Sequence, residues 1–303
     1  MKVKHLLVLL LLAGVSLVVI IFPRGHLYVK ATDMTTESKG FQLLYSIKGS
    51  GAYRLTRPSF AVADDRGRVY IADSGNQRGL VFSQTGRMLF QFGDAKSAMP
   101  LVYPYGIGLL DSSIIVADPG AGAIREYDQA GKYLRTWLGP EARVLPGQIS
   151  VSGNQEVYVT DMAGKQILVF SPGGKLVRRV KPAEIGLGLP QGVAVNDDDN
   201  SIWVVDSENY NVKLLSPQGK LLLLFDGGPE WALSAPKGLA VDKTKGVYVS
   251  DALTNSVRLF DFKGGEITQQ DSLRQPAGLS VDKKGRLYIA DQGNDCIQVW
   301  TWK

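Results

Sequence analysis

The stretch that decides the fold is RVYIADSGNQ at residues 68–77, which returns near the other end of the chain as RLYIADQGND at residues 286–295. Seven of the ten positions are identical. The Asp that ends the apolar run recurs between these two copies, giving Asp73, Asp118, Asp161, Asp206, Asp251 and Asp291. Successive copies are 45, 43, 45, 45 and 40 residues apart. Self-similarity at such a period predicts a chain built from repeated structural units.

Each repeat carries the signals of four short strands, which we call a to d in chain order. A proline about fifteen residues before each Asp opens strand a, and four of the six units read Pro-x-Gly there. The Asp ends strand b, and Val, Ile, Tyr and Trp, which favour strands, fill both. A turn such as SPGGK at 171–175 follows strand c and has the Ser and Gly of a hairpin loop. Four antiparallel strands per 40–45 residues predict the blade of an all-β, six-bladed β-propeller.

The sixth unit is one strand short, and the missing strand is predicted at the other end of the chain. After Pro276 there are signals for only three strands, whereas FQLLYSIKG at 41–49 resembles the outer strands of other units. We expect this N-terminal strand to complete the last blade and to cover an open sheet edge. The closure is expected to be noncovalent because Cys296 is the only cysteine.

Residues 6–22, LLVLLLLAGVSLVVIIF, form an uncharged apolar segment that follows Lys2 and Lys4. Its seventeen residues are just long enough to cross a bilayer as a helix. No small-x-small cleavage site follows directly, so we expect an uncleaved signal anchor rather than a cleaved signal peptide. The predicted organisation is a transmembrane helix within 1–22, a polar tether at 23–40 and the propeller at 41–303.

The repeat resembles the NHL repeat, most closely at PKGLAVDKTKGVYVSDALTN (236–255) and PAGLSVDKKGRLYIADQGND (276–295). The third unit departs most, because it lacks Pro-x-Gly and has Gly164 where the pattern has Asn. The resemblance implies a rigid scaffold that binds protein, RNA or another ligand, with enzymes in a minority. With an anchor, it implies a single-pass protein of a bacterial cytoplasmic membrane, with the propeller on the extracytoplasmic side.

The charge of the propeller and the positions of the histidines argue against several classes of function. The formal charge of +5 falls to +2 for residues 41–303, which hold 29 Lys and Arg against 27 Asp and Glu. Such a near-neutral body does not suit a nucleic-acid binder, and we expect none. The only histidines, His5 and His26, precede the propeller. A histidine-bound zinc site of the lyase type and a Ser-His-Asp nucleophile are therefore excluded.

The residues that begin strand a do not suggest a lactonase-type metal site, for which the resemblance would imply a set of Glu, Asn and Asp. These residues are Ser59, Tyr105, Gly147, Gln191, Lys237 and Ala277. The six repeated aspartates are interpreted as structural, each accepting backbone hydrogen bonds, because catalysis would need unlike environments. We expect no catalytic, metal or cofactor residue. Calcium in the channel is an alternative without support in the sequence.

The connections from d to a and from b to c must emerge at one end of the propeller, which we call the loop face. The opposite end, with the a-to-b and c-to-d turns, is the hairpin face. The loop face collects the longer segments 49–58, 93–104, 138–146, 181–190 and 226–236. Its aromatic and polar residues are the candidate binding residues, namely Tyr53, Arg57, Arg78, Tyr103, Tyr105, Gln191, Tyr210, Trp231 and Lys237.

The sequence predicts a non-enzymatic scaffold that binds a protein or glycan outside the cytoplasm and reaches the membrane through residues 6–22. Aromatic and Arg residues on loops of a rigid fold are typical of binding surfaces. The alternative for Trp231 and Met99 is that they fill the gaps between blades. The alternative function is a metal-dependent lactonase- or lyase-like propeller enzyme.

Overall fold

The computed structural model describes residues 6–12, 15–21, 27–32, 40–182, 186–229 and 232–302. The chain divides into two compact units, Met1–Phe41 with Trp302–Lys303, and Gln42–Thr301.

The N-terminal unit contains an antiparallel sheet of three strands, β1 (Leu6–Leu12), β2 (Val15–Ile21) and β3 (Leu27–Thr32), in the order β1-β2-β3. The sequence predicts a transmembrane helix over residues 6–22, and this helix is not observed. Within the described ranges, no helix is long and apolar enough to cross a membrane. Periodicity cannot separate a short buried strand from a helix in such an apolar run, and the Val and Ile of β2 suit either. The anchor stays a prediction.

The remaining strands form six antiparallel sheets of four strands each, which confirms the six-bladed β-propeller. Blades 1 and 2 consist of β5 (Phe60–Ala63), β6 (Val69–Asp73), β7 (Arg78–Phe82) and β8 (Met88–Phe92), and of β9 (Gly106–Leu109), β10 (Ser113–Asp118), β11 (Ala123–Asp128) and β12 (Tyr133–Leu138). Blades 3 and 4 consist of β13 (Pro146–Val151), β14 (Val157–Asp161), β15 (Gln166–Phe170) and β16 (Leu176–Val180), and of β17 (Pro190–Val195), β18 (Ile202–Asp206), β19 (Asn211–Leu215) and β20 (Leu221–Phe225).

Blade 5 consists of β21 (Pro236–Asp242), β22 (Gly246–Asp251), β23 (Ser256–Phe260) and β24 (Glu266–Gln270). Blade 6 joins both ends of the propeller, with β25 (Pro276–Val281), β26 (Arg286–Asp291), β27 (Cys296–Trp302) and the N-terminal strand β4 (Phe41–Ile47) as its outer edge. This arrangement confirms that the early strand completes the last blade. The helices of the described residues are single 3₁₀ turns at Gly51–Tyr53, Ser74–Asn76, Pro119–Ala121, Pro140–Ala142 and Gln292–Asn294.

The spacing between the repeated proline and aspartate follows from strand pairing. In blade 5, Pro236 at the start of strand a lies opposite Asp251 at the end of strand b. Pro276 and Asp291 pair in the same way in blade 6. The a-to-b hairpin therefore fixes the interval of about fifteen residues. The proline and the aspartate both lie at the loop-face end of the blade.

The Gly of Pro-x-Gly is required by the close approach of neighbouring inner strands. A Cβ on Gly238 would lie 2.2 Å from the carbonyl oxygen of Ala277 in the next blade, and one on Gly278 would lie 2.6 Å from that of Ser59. No side chain fits at such distances from backbone. The inner strands thus pack edge to edge around a central channel.

The core lies between adjacent blades rather than at the centre of the ring. Between blades 1 and 2, for example, Phe60, Tyr70, Phe92, Ile107 and Tyr127 form one buried cluster. Each such side chain contributes about 1.5–3 kcal/mol when fully buried. This packing holds the blades rigidly, so that the loops on each face project from fixed positions.

Candidate binding face

The six repeated aspartates are buried and bind the loops that precede strand a. The Thr56 N–H donates to Asp73 Oδ1 at 2.8 Å, and the Ser234 N–H donates to Asp251 Oδ2 at 2.7 Å. Equivalent bonds run to Asp118, Asp161, Asp206 and Asp291. The turn after the Asp often donates as well, as Asn294 does to Asp291 at 2.8 Å. The aspartates thus hold the loops of the loop face in place through hydrogen bonds to their backbone.

The side chains that compensate these buried carboxylates differ between blades. Asp73, Asp118 and Asp206 form ion pairs with cations, whereas Asp161 and Asp291 accept amide hydrogen bonds. The donors lie five or seven residues after the Asp, namely Arg78, Arg125, Lys213, Gln166 and Gln298. Sequence reasoning treated the six sites as equivalent and missed these partners, although each lies five or seven residues after its Asp in the sequence.

The most enclosed of these ion pairs joins Asp206 to Lys213, whose side chains are 0% and 2% exposed. Burial alone would raise the pKa of Asp206. Hydrogen bonds from Lys213, from the backbone N–H of Gly188 and from Asn209 outweigh burial and hold that pKa below its ordinary value. Asp206 therefore stays ionised in the fold, with its negative charge fully compensated inside blade 4.

The side chain of Gln148 reaches other blades across the central channel. Its Nε2 donates to the carbonyl oxygens of Val193 at 3.0 Å and Leu239 at 2.7 Å, and its Oε1 accepts from the Leu239 N–H at 3.3 Å. Gln148 stands where four other units have the Gly of Pro-x-Gly, so the departure of the third unit provides this side chain and its contacts to blades 4 and 5. Sequence reasoning noted the departure but did not foresee this role.

On the hairpin side of Gln148, the channel widens into a cavity of about 570 Å³. Half-buried aliphatic side chains from the six inner strands contribute to its wall, namely Val62, Leu109, Val151, Val195, Val241 and Val281. Several charged residues at this end of the propeller are paired with each other, as in Lys283–Asp65 at 2.6 Å and Lys243–Asp198 at 2.7 Å. This cavity lies on the face opposite the predicted binding residues and was not anticipated.

The loop face carries the exposed aromatic residues that the sequence predicts there. Tyr53, Tyr103 and Tyr210 are exposed. Further exposed large apolar side chains in the loops and turns of this face are Met99, Val102, Leu145 and Leu253. Met99 is thus on the surface rather than packed between blades. Together these seven side chains give one end of the propeller an apolar character.

The remaining candidates fall into three groups. Arg78 is half-buried and engaged within blade 1, where it pairs with Asp73 at 3.0 Å, so it does not belong to the exposed surface. Tyr105, Gln191, Lys237 and Arg57 lie where the inner strands begin, at the loop-face mouth of the channel. Trp231 lies outside the described residues.

The four residues at the channel mouth are polar, and three of them are half-buried. The Tyr105 hydroxyl lies 3.5 Å from Gln191 Oε1, which joins blade 2 to blade 4 across the Gly147 position. Burial raises the pKa of Tyr105 above its ordinary value, so this phenol is a neutral donor. Burial, reinforced by the charge of Arg57, lowers the pKa of Lys237.

The described residues do not fit a metal centre of the lactonase type. No carboxylate occurs among the residues that begin strand a, and no group of three His, Cys, Asp or Glu in the described part of the chain could hold a metal ion. Burial raises the pKa of the Cys296 thiol to about 12, so this cysteine remains protonated and is a poor nucleophile.

Comparison with known proteins supports the repeat assignment. The family model described as NHL repeat matches residues 187–213 and 273–300. Protein brain tumor of Drosophila melanogaster is 25% identical over 130 residues, which is 42% of this chain and 12% of that protein. This chain therefore corresponds to only a small part of that relative.

Solved structures with the same architecture include two enzymes. A gluconolactonase from Xanthomonas campestris aligns with a TM-score of 0.67 and 16% identity over 87% of this chain and 89% of that one. Virginiamycin B lyase from Staphylococcus aureus aligns with a TM-score of 0.61 and 13% identity over 100% of this chain and 99% of that one. At such identities the likeness concerns the fold. Two stretches of the chain match the NHL repeat, and the chain folds as a six-bladed β-propeller.

Proposed function

We propose that this propeller is a non-enzymatic scaffold that binds a partner protein through its loop face. The observation that carries the proposal is the concentration of exposed Tyr53, Tyr103, Tyr210, Met99 and Leu253 on that face. Tyr and Met are enriched at the centre of protein interfaces, where they supply large contact area at low entropic cost. Exposed apolar clusters of this kind mark interaction sites on soluble domains.

The loops that present these residues are held in place before any partner binds. Each is tied to a buried aspartate, as Thr56 is to Asp73 and Ser234 to Asp251. Ordering of loops is one of the main costs of association, and a preformed surface reduces that cost. The hairpin face differs, because several of its charged side chains form surface ion pairs such as Lys283–Asp65.

The proposal places the propeller outside the cytoplasmic membrane of a bacterium, attached through residues 6–22. Its support is the sequence alone, seventeen uncharged residues preceded by Lys2 and Lys4. A positively charged flank on the cytoplasmic side would leave the propeller on the opposite side. An anchored scaffold needs only one free face, and the loop face is the one with apolar character.

The second candidate is a metal-dependent lactonase- or lyase-like enzyme. The structural likeness to gluconolactonase and virginiamycin B lyase favours it. The residues of this chain do not, because residues 41–303 lack histidine and the starts of the inner strands lack carboxylates. We therefore rank it second.

Site-specific photo-crosslinking in the source cells tests the scaffold proposal. A photoreactive phenylalanine analogue replaces Tyr53 or Tyr210 in the full chain, with Phe262 as the control, since it is also exposed but lies in a turn of the hairpin face. We expect discrete crosslinked species from Tyr53 and Tyr210 and none from Phe262. Mass spectrometry then identifies the crosslinked species. Crosslinks of equal yield at Phe262, or none at the loop face, would contradict the proposal, and a glycan species would replace the protein partner.

A further inference from the structure

The loop-face mouth of the channel holds two cations whose charged groups form no ion pair among the described residues. Neither Lys237 nor Arg57 takes part in any of the ion pairs within those ranges. Lys237 is half-buried, whereas the other lysines of the described propeller residues that take part in no ion pair are exposed. Lys237 is therefore distinguished by partial burial without a carboxylate to compensate its charge.

The environment of the Lys237 ammonium group is unfavourable. Partial burial, reinforced by the positive charge of Arg57, lowers the pKa of Lys237. A half-buried ammonium group with no carboxylate in contact costs the fold stability rather than adding to it. Unfavourable arrangements of this kind are characteristic of binding sites, where a ligand supplies what the protein omits.

Neutral hydrogen-bonding groups complete the mouth. Tyr105 begins the inner strand of blade 2, and its hydroxyl reaches Gln191 of blade 4 at 3.5 Å, longer than a good O–H···O hydrogen bond. The phenol hydrogen is thus free to be donated more strongly to a better acceptor. Gln191 offers its amide N–H groups at the same level, two blades from Tyr105 and next to the blade of Lys237.

Two hydrogen bonds position Arg57, one from its backbone and one from its guanidinium to a neutral side chain. The backbone N–H of Arg57 donates to Asp295 Oδ1 at 2.8 Å, and its side-chain Nη2 donates to Gln292 Oε1 at 3.1 Å. Its φ of 46° is positive, but Gln275, which also precedes a proline, has φ 49° and the same kind of bond, to Asn255. The conformation therefore recurs in a second blade without a charged residue, and the charged side chain is what distinguishes Arg57 from Gln275.

We propose that the loop-face mouth of the channel binds a carboxylate group, with Lys237 and Arg57 as the charged donors and Tyr105 and Gln191 as neutral donors. Charge-assisted hydrogen bonds from an ammonium and a guanidinium are the strongest that these residue types offer a carboxylate. The carboxylate comes either from a free small molecule or from an acidic side chain of the partner. The second source rests on the proposed scaffold function, whereas the first does not.

The chain supplies its own conservative replacements for the test. Arg57→Gln places at 57 the residue that the equivalent position 275 already has, and Lys237→Gln copies Gln191 at the equivalent place in blade 4. Both variants are therefore expected to fold. Lys220→Gln, an exposed cation beside a hairpin-face turn, is the matched control.

The first arm is calorimetric titration of the full chain with succinate. If the ligand is a free carboxylate, succinate binds with saturation, Lys237→Gln and Arg57→Gln each weaken binding by about tenfold or more, and Lys220→Gln has no effect. Thermal unfolding separates this role from a structural one. The proposal predicts that Lys237→Gln leaves the melting temperature unchanged or raises it, because a half-buried charge without a carboxylate partner is removed.

The second arm repeats the crosslinking from Tyr210 with the Lys237→Gln and Lys220→Gln variants. If the carboxylate belongs to the partner, Lys237→Gln reduces the crosslinked yield several-fold, whereas Lys220→Gln does not. The proposal is overturned if succinate gives no saturable heat and Lys237→Gln also leaves the crosslinks unchanged. A lower melting temperature of the Lys237→Gln variant would likewise overturn the proposal, because it would show that Lys237 stabilises the fold. Absence of crosslinks in the unmodified chain contradicts the scaffold function instead.

Discussion

A chain that lacks residues 1–47 is expected to lose the folded propeller, whereas a chain that lacks residues 1–39 is expected to keep it. The longer deletion removes β4 (Phe41–Ile47), the outer strand of blade 6, together with the buried Ile47. It leaves the edge of β27 unpaired and removes the strand by which the N-terminal part of the chain completes blade 6. We expect a loss comparable to the whole stability of a domain, about 5 kcal/mol or more.

Circular dichroism and urea unfolding of the two truncated chains measure this effect. The shorter deletion should retain a cooperative transition near that of the full chain, and the longer one should aggregate or unfold without cooperativity. A peptide of residues 41–49, added in trans, should restore part of the signal, and the same peptide with Ile47→Asp should not. A cooperative transition of normal midpoint in the longer deletion would mean that blade 6 does not need β4.

Lys213→Met is expected to destabilise the propeller by about 3–5 kcal/mol, because it leaves the buried carboxylate of Asp206 without its cation. Asp206 is 0% exposed and is held ionised by that pair and by backbone N–H groups. Urea unfolding at neutral pH measures the loss. Lys220→Met, at an exposed position, is the control and should change stability by less than about 0.5 kcal/mol.

The pH dependence of this loss identifies its electrostatic origin. A folded-state pKa below the ordinary value means that Asp206 stabilises the fold above its ordinary pKa, and that this contribution disappears as the pH falls through the folded-state pKa. Without Lys213 the pKa of Asp206 should rise, so that the carboxyl becomes neutral at mildly acidic pH and the penalty shrinks. Asp206→Asn in the Lys213→Met background should recover part of the stability. An equal penalty at every pH would assign the effect to lost packing.

The architecture was predictable from the sequence because its signals are local and repeated. The Asp at the end of strand b, the proline that pairs with it and the hairpin turns recur within each unit of 40–45 residues. Ring closure was predictable as well, since β4 resembles the outer strands and the sixth unit lacks one. The conformation of the apolar run 6–22 was not predictable, because an apolar run of that length suits both a helix and strands.

The candidate site was predictable only in outline. Exposure of Tyr53, Tyr103 and Tyr210 on one face follows from the topology of antiparallel blades. The role of Gln148 does not, because its partners Val193 and Leu239 lie 45 and 91 residues away, in other blades. A periodic sequence pattern predicts the structure of one unit, and it does not predict contacts between side chains of one blade and the backbone of distant blades.

The internal partners of the aspartates show the same limit. Lys213 and Arg78 look like surface cations in the sequence, since they alternate with apolar residues along strand c. In the structure both turn towards buried carboxylates, which decides that they stabilise the fold rather than bind a ligand. Lys237 takes part in no ion pair within the described ranges, and this difference is the reason why we propose a ligand-binding role for it.

Metal analysis of the purified full chain tests most directly whether this propeller binds or catalyses. The protein is dialysed against metal-free buffer with calcium and zinc first supplied in excess, and its metal content is measured by inductively coupled plasma mass spectrometry. A scaffold with no carboxylate at the starts of its inner strands and no histidine in residues 41–303 should retain only substoichiometric metal. One tightly held calcium or zinc ion per chain after dialysis would contradict the account and favour the lactonase- or lyase-like enzyme.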